Sequence, residues 1–342
     1  MQFALNEDER LASAAARDLF RELGDADRET VARGLKDGGW FDITRDGGPI
    51  VGVLAAEQAG WSGLAFPFSE QALAAPAALA SAVSDGYSTP ATGPGRAAPA
   101  GVSAAVDGLR GREPLRAARL PAGWAVSGTA WPVVATSGVA QWLAVARSAD
   151  GGEPCLFAVP RGKVEAMRSL DPAVEVWRVD FEGVVAAAER LPTRALQSLV
   201  DWGAAGAAAE MLGAAQRLLE MSVEHAKQRI QFGHPVGGFQ AVKHHCANMH
   251  VLVEAMRASV WGAAEALASD SPPSEAVSIA KSYCGSAAKQ VAKTALQVHG
   301  GIGFTWEHPL HRHLKRIERL ASEFGDARWH RARLLASVEG VR

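Results

Sequence analysis

The sequence predicts an α+β fold in three successive parts: an N-terminal helical domain over residues 1–95, a small middle β domain (barrel or sandwich) over 96–192, and a C-terminal four-helix-bundle domain over 193–342. Three observations predict it. Apolar residues recur at helical spacing at both ends of the chain, short β-favouring runs fill the centre, and proline- and glycine-rich stretches mark the changes of texture. A length of 342 residues suits two or three packed subdomains, each burying its own core. With 48% hydrophobic and 21% charged residues, the composition is that of a soluble globular protein, which excludes disorder and membrane insertion as defaults.

Residues 1 to about 85 read as helices. Asn6 can cap the first, and Glu7, Asp8 and Glu9 then favour the positive end of its dipole. Leu11, Ala15, Leu19 and Leu23 recur on one face of it. "PIVGVLAAEQAG" (49–60) and "SEQALAAPAALASAV" (69–83) continue in this style, and "DGYSTPATGPGRAAPAG" (85–101) reads as a linker. The runs "GWAVSGTAWPVVA", "QWLAVARSADGGEPCLFAVPR" and "VEVWRVDFEGVVA" predict an antiparallel β region, with a hairpin loop at "ADGGEP" (149–154). Helices return after Leu191-Pro192-Thr193, over about 196–228 and 239–268. "SDSPPSE" (269–275) opens a third with proline in its first turn, and this one runs to Val298 and stops at His299-Gly300-Gly301.

Several function classes find no support. Cys155, Cys246 and Cys284 are odd in number and far apart, so they read as reduced core residues rather than a disulfide or zinc framework. A formal charge of −2 without a Lys/Arg block interleaved with aromatics argues against nucleic acid. Acids at the N-terminus replace the basic start of a secretory signal, and Glu210 interrupts the alanine-rich run 202–215, so the expected compartment is the cytoplasm, away from membrane. His244, His245, His250, His308, His311 and His313 follow no metal-ligand spacing, and no metal is expected. The run His311, Arg312, Lys315, Arg316, Arg319 reads as a solvated face or an anion contact. Neither a G-x-S-x-G elbow nor a P-loop occurs.

Two clusters remain. At the joint between two long helices, "RIQFGHPVGGFQAVKHH" (229–245) places Arg229, Gln231, Phe232 and Gln240 among Gly233, Gly237 and Gly238. Arg229 either neutralises the carbonyl end of its helix or pairs its guanidinium fork with phosphate oxygens. One helical hairpin later, Gln297 precedes Gly300, Gly301 and Gly303, as if backbone closed there on something that leaves no room for side chains.

Together these clusters resemble the acyl-CoA dehydrogenase family, whose C-terminal helical domain carries R-x-[QT]-F-G, a following F-Q, and Q-x-x-G-G-x-G-[FY]. Here they read Arg229-Ile230-Gln231-Phe232-Gly233, Phe239-Gln240 and Gln297-Val298-His299-Gly300-Gly301-Ile302-Gly303-Phe304, and the helical, β, helical order matches as well. The resemblance implies FAD as cofactor, with Arg229, Gln231, Phe232, Gln240, Gln297, Val298, His299, Gly300 and Gly301 on its pyrophosphate and adenosine portion, held by a neighbouring subunit. It implies an acyl-CoA substrate, α,β-desaturation of its thioester, a homo- or hetero-oligomer, and an electron-accepting flavoprotein.

That reaction requires a carboxylate beside the substrate α carbon. At the two positions where the family places its glutamate this chain has Gly203 and Gly325. The acids nearby are Asp201, Glu210, Glu323 and Asp326. The middle-domain motifs also depart from the family's, with Trp131 the one residue that reflects them. The chain therefore resembles the shorter, base-lacking subunits of bacterial heteromeric acyl-CoA dehydrogenases. Two readings stand beside one another: an active flavoenzyme subunit, or a silent subunit that completes the FAD site of a larger homologous partner. A cofactor-free helical scaffold is the third.

Overall fold

The structure, a computed structural model, describes residues 5–24, 26–87, 102–105, 115–121, 123–136, 141–148, 152–181 and 188–339. The N-terminal helices are α1 (Glu7–Glu22), α2 (Arg28–Asp37), α3 (Ile43–Asp46), α4 (Gly48–Ser62) and, after a π-helical turn over Ser69–Ala74, α5 (Ala75–Ser84). Asn6 caps α1 as predicted: its side chain accepts from the Glu9 amide at 2.9 Å, and the Glu9 carboxylate accepts from the Asn6 amide at 2.8 Å. The buried face of α1 differs from the expected one. Leu11 is 62% exposed while Ala16 and Phe20 are buried, because the bulkier Phe20 sets the inward direction and turns the leucine row aside.

The strands are β1 (Val102–Ala105), β2 (Leu115–Leu120), β3 (Gly123–Ser127), β4 (Thr129–Val134), β5 (Gln141–Ser148), β6 (Cys155–Val159), β7 (Lys163–Met167), β8 (Val176–Asp180) and β9 (Glu189–Arg190). One sheet runs β3-β2-β5-β6-β9 with β1 also on β5, and a second runs β4-β8-β7. Leu115, Val126, Trp142, Phe157, Val159 and Phe181 form the core of this region. The expectation of a purely antiparallel region is corrected: β1 and β2 both pair with β5 in parallel. The chain leaves β2 through β3 and passes into the second sheet at β4 before it returns. That excursion is long enough for the crossover a parallel pair requires. β5 and β6 pair antiparallel from Trp142↔Val159 to Ala146↔Cys155, as the hairpin reading requires. Most of the linker, 88–101, and the loop residues 149–151 lie outside the described residues.

The C-terminal part comprises α6 (Thr193–Gln228), the two-residue strands β10 (Ile230–Gln231) and β11 (His234–Pro235), α7 (Gln240–Ala268), α8 (Ser274–His299), α9 (Leu310–Ser322) and α10 (Ala327–Glu339). Two compact units result. One gathers α1, α4 and the chain from Ala207 onward; the other gathers α2, α3 and residues 65–206. In the first, α8 packs against α7, α9 and α10. α4 and α6 lie backbone to backbone there: a Cβ on Gly60 would stand 2.0 Å from the Glu210 carbonyl oxygen, and one on Gly213 would stand 1.8 Å from that of Glu57. Such closeness is open only to glycine.

Arg316 and Arg319 belong to this interior, which corrects the reading of the 311–319 run as a solvated face. Arg316 is 1% exposed and donates to the carbonyls of Ala59, at 2.9 Å, and Leu64, satisfying the C-terminal end of α4. Arg319 is buried in an ion pair with Glu323 at 2.7 Å. The Arg257 guanidinium on α7 reaches the buried Glu57 carboxylate on α4 and the Gln216 side chain, the latter at 3.1 Å.

Candidate functional site

The Arg229 amide donates to the His225 carbonyl at 2.8 Å, closing α6, and the Val236 amide donates to the Arg229 carbonyl at 2.8 Å, folding the next residues into a hairpin. At its tip Phe232 (φ 53°) and Gly233 (φ 79°) are both left-handed, the pattern of a type I′ turn, which suits glycine but is uncommon for a bulky residue. The turn thrusts the Phe232 ring outward, 88% exposed, with Phe239 edge-on at 6.1 Å. Arg229, Gln231 and Gln240 are exposed around it. Among the described residues the Gln231 side chain donates to the Ile230 carbonyl at 2.7 Å, and the Arg229 and Gln240 side chains make no hydrogen bond or ion pair.

The second cluster begins where α8 ends. Gly300, at φ 62°, caps the helix, and a tight turn over Gly300–Phe304 follows. The three glycines differ in what the chain itself requires of them. Gly300 is needed for its conformation, and Gly303 because a Cβ there would lie 3.1 Å from that of His299. Gly301 has neither reason: its φ is ordinary and a Cβ would meet nothing within 4 Å. Its bare backbone faces outward, beside the exposed Gln297 and a half-buried Val298.

His299 joins the two clusters. Its ring, 5% exposed, stacks on His225 of α6 with centroids 4.6 Å apart and meets His308 edge-on at 4.8 Å. Burial, then His225 and His308, pushes its pKa down to about 4. Burial also lowers those of His225 and His308, aided by His308 and Arg229 in the first case and by His311 in the second. The His299 side chain is thus turned into the interior at the start of the glycine turn. His225 was not anticipated, because stacking between residues on separate helices leaves no spacing signal.

The candidate bases are less favourably placed. Gly203, Asp201 and Glu210 are all buried on α6. Gly325 has φ 95° after Phe324 at φ 52°, and a Cβ there would lie 2.5 Å from the Trp329 ring and 3.1 Å from His330 Nε2. Lys281 donates to the carbonyls of Ala321 at 3.2 Å and Gly325 at 2.7 Å, while His330 Nε2 lies 3.0 Å from that of Phe324. Of the flanking acids, Glu323 is bound to Arg319, and Asp326 accepts from the Trp329 amide at 2.8 Å, capping α10. Trp131 stands on β4, 44% exposed. Among the described residues no group of three or more His, Cys, Asp or Glu is placed to hold a metal, and no helix is long and apolar enough to cross a membrane.

Helices at both ends, a split β region between them and this exposed cationic and amide surface on a glycine turn define the chain as having the acyl-CoA dehydrogenase fold. Residues 193–338 match the family model described as acyl-CoA dehydrogenase, C-terminal domain. Acyl-CoA dehydrogenase IpdE2 of Mycolicibacterium smegmatis is 39% identical over 142 residues, covering 42% of this chain and 44% of that protein. Acyl-CoA dehydrogenase FadE27 of Mycobacterium tuberculosis is 30% identical over 247 residues, 66% of this chain and 64% of that protein. The match thus spans less than half the length of the IpdE2 relative. Among solved structures, the ChsE4-ChsE5 complex from Mycobacterium tuberculosis has a TM-score of 0.85 at 25% identity over 99% of both chains. A glutaryl-CoA dehydrogenase from Mycobacterium smegmatis in complex with FADH2, at a TM-score of 0.80 and 18% identity over 98% of this chain and 95% of that one, shares the fold. The family model thus covers the C-terminal residues 193–338, and the fold of the whole chain is similar to that of acyl-CoA dehydrogenase structures.

Proposed function

We propose that this chain is one subunit of an oligomeric FAD-dependent acyl-CoA dehydrogenase that desaturates an acyl-CoA between its α and β carbons in the cytoplasm, passing electrons to a flavoprotein. The observation that carries this reading is the outward surface of Arg229, Gln231, Phe232, Gln240 and Gln297 beside Gly301, whose missing side chain nothing in the chain's own packing requires. The surface fits FAD. Arg229 would pair with pyrophosphate oxygens, Phe232 and Phe239 would cover an apolar ring, and the amides would bond to ribose and adenine edges. Bound FAD supplies the acceptor for the β hydrogen, while a carboxylate takes the α proton.

A second reading is favoured by the Phe324–Gly325 turn. Its geometry leaves no room for a carboxylate on residue 325, so the base would come from a homologous partner whose FAD site this chain completes. The likeness to a chain of the ChsE4-ChsE5 complex supports an assembly of two different subunits.

Purifying the chain alone and with a homologue encoded beside its gene, and measuring bound flavin and acyl-CoA-dependent dye reduction, separates the readings. Flavin and activity only in the mixed assembly are expected. Full activity in the lone chain would sink the silent-subunit reading. Absence of flavin in every assembly, or unchanged flavin in Arg229→Ala, would sink both.

A further inference from the structure

We infer that His299 is the positioning residue of the cofactor grip: as a neutral ring clamped between His225 and His308 it holds the Arg229 hairpin against the glycine turn, and a proton on it unclamps them, so that acid releases FAD. The inference rests on the FAD reading above and adds a control to the same site.

The protonation state follows from the hydrogen bonding. His299 Nδ1 lies 2.8 Å from the Ala295 carbonyl oxygen, which can only accept, so Nδ1 carries the proton and Nε2 the lone pair. That Nε2 is buried and has no hydrogen-bond partner among the described residues. A second proton would place a positive charge there with no acceptor, a costly state that the ring can escape only by moving out. The groups around it offer no relief. α6 contributes His225 and Arg229, the segment before α9 contributes His308, and α9 contributes His311. The stacked His225 presents a ring face, whereas imidazole lone pairs lie in the ring plane. The depressed pKa of His299 agrees with this geometry.

The link to the cofactor grip runs through one backbone hydrogen bond and through adjacent residues. The His225 carbonyl accepts the Arg229 amide, and His299 is followed at once by Gly300 and Gly301. A Cβ added to Gly303 would crowd that of His299, so the turn folds back closely over the start of this side chain. If the ring leaves, the end of α6 and the end of α8 lose their common contact.

The test uses the FAD-loaded assembly in wild-type, His299→Phe and His299→Ala forms, and measures flavin retained through gel filtration at about pH 7.5 and about pH 5, a span that brackets imidazole titration. In wild type, retention falls about fivefold at the lower pH, a modest share of what one fully linked proton could produce. Phenylalanine keeps a stacking ring that cannot be protonated, so its two values agree. Alanine removes the clamp and loses flavin at both. A His299→Phe assembly that follows the wild-type fall, or a wild type that holds FAD more tightly in acid, overturns the inference while leaving the FAD reading intact. Wild type without flavin at neutral pH overturns both. Should His299→Phe not fold, the ring-proton NMR shifts of labelled histidine in wild type decide, because a His299 that titrates near pH 6.5 carries no such strain.

Discussion

Lys281 on α8 donates to the Gly325 carbonyl at 2.7 Å, so a buried lysine secures the backbone of the turn at which the family pattern expects a carboxylate. With His330 beside the Phe324 carbonyl and Trp329 over the Gly325 Cα, that turn is held on three sides. These contacts tie the turn into the packing of the first compact unit.

Gly325→Glu therefore gains no dehydrogenase activity and costs about 2 kcal/mol or more, from the left-handed backbone and the Trp329 contact together. Urea unfolding reads the cost and dye reduction reads the activity. A stable variant that turns over acyl-CoA alone would show the turn to be an open base loop.

Gly213→Ala and Gly301→Ala are expected to separate folding from binding. The first drives a methyl into the Glu57 backbone and destabilises by about 3 kcal/mol or fails to fold. The second meets no atom of the chain and leaves the unfolding midpoint within about 0.5 kcal/mol. Bound flavin nonetheless falls in Gly301→Ala, which absorbance of the desalted assembly measures directly.

Arg257→Met leaves the Glu57 carboxylate buried without its guanidinium and is expected to cost about 3 kcal/mol. Adding Glu57→Gln recovers part of that loss by removing the orphaned charge. A double-mutant cycle on thermal unfolding checks it, and purely additive losses would contradict the pairing.

His330 predicts an acid limb of stability. Burial, then the Lys281 charge, lowers its pKa to about 3 from an ordinary value of 6.5. The folded state thus holds it neutral while the unfolded state takes up a proton. Its contribution is complete above pH 6.5 and is lost progressively as pH falls from there toward 3, at up to about 1.4 kcal/mol per pH unit. His330→Gln flattens this limb, and unfolding free energies measured between neutral and acid pH compare the slopes.

The parts of this structure that sequence made legible are those with local causes. Asn6 and Glu9 announce the start of α1, and Gly300 announces the end of α8, because a cap or a left-handed turn is settled within a few residues. Arg229, Gln240 and Gln297 were likewise legible as an exposed set, since each stands at a helix boundary. What escaped was decided by distant partners. Arg316 looked like part of a charged face, yet it caps carbonyls of α4 from 257 residues away. The parallel pairing of β2 with β5 depends on where β4 departs, and the inward face of α1 depends on the larger Phe20. Trp329 gave no hint that it would close over Gly325.

The Gly325 turn also bears on how such a chain could change. Glycine and glutamate codons can differ by a single base, so placing a carboxylate at this position is a short step in sequence. Here that step passes through a strained intermediate, since the ring of Trp329 must be cleared and the backbone released from Lys281 and His330 before the new side chain has a place to stand. Under the two-subunit reading, a chain packed this way would regain independence from its partner only by rebuilding the turn as a whole.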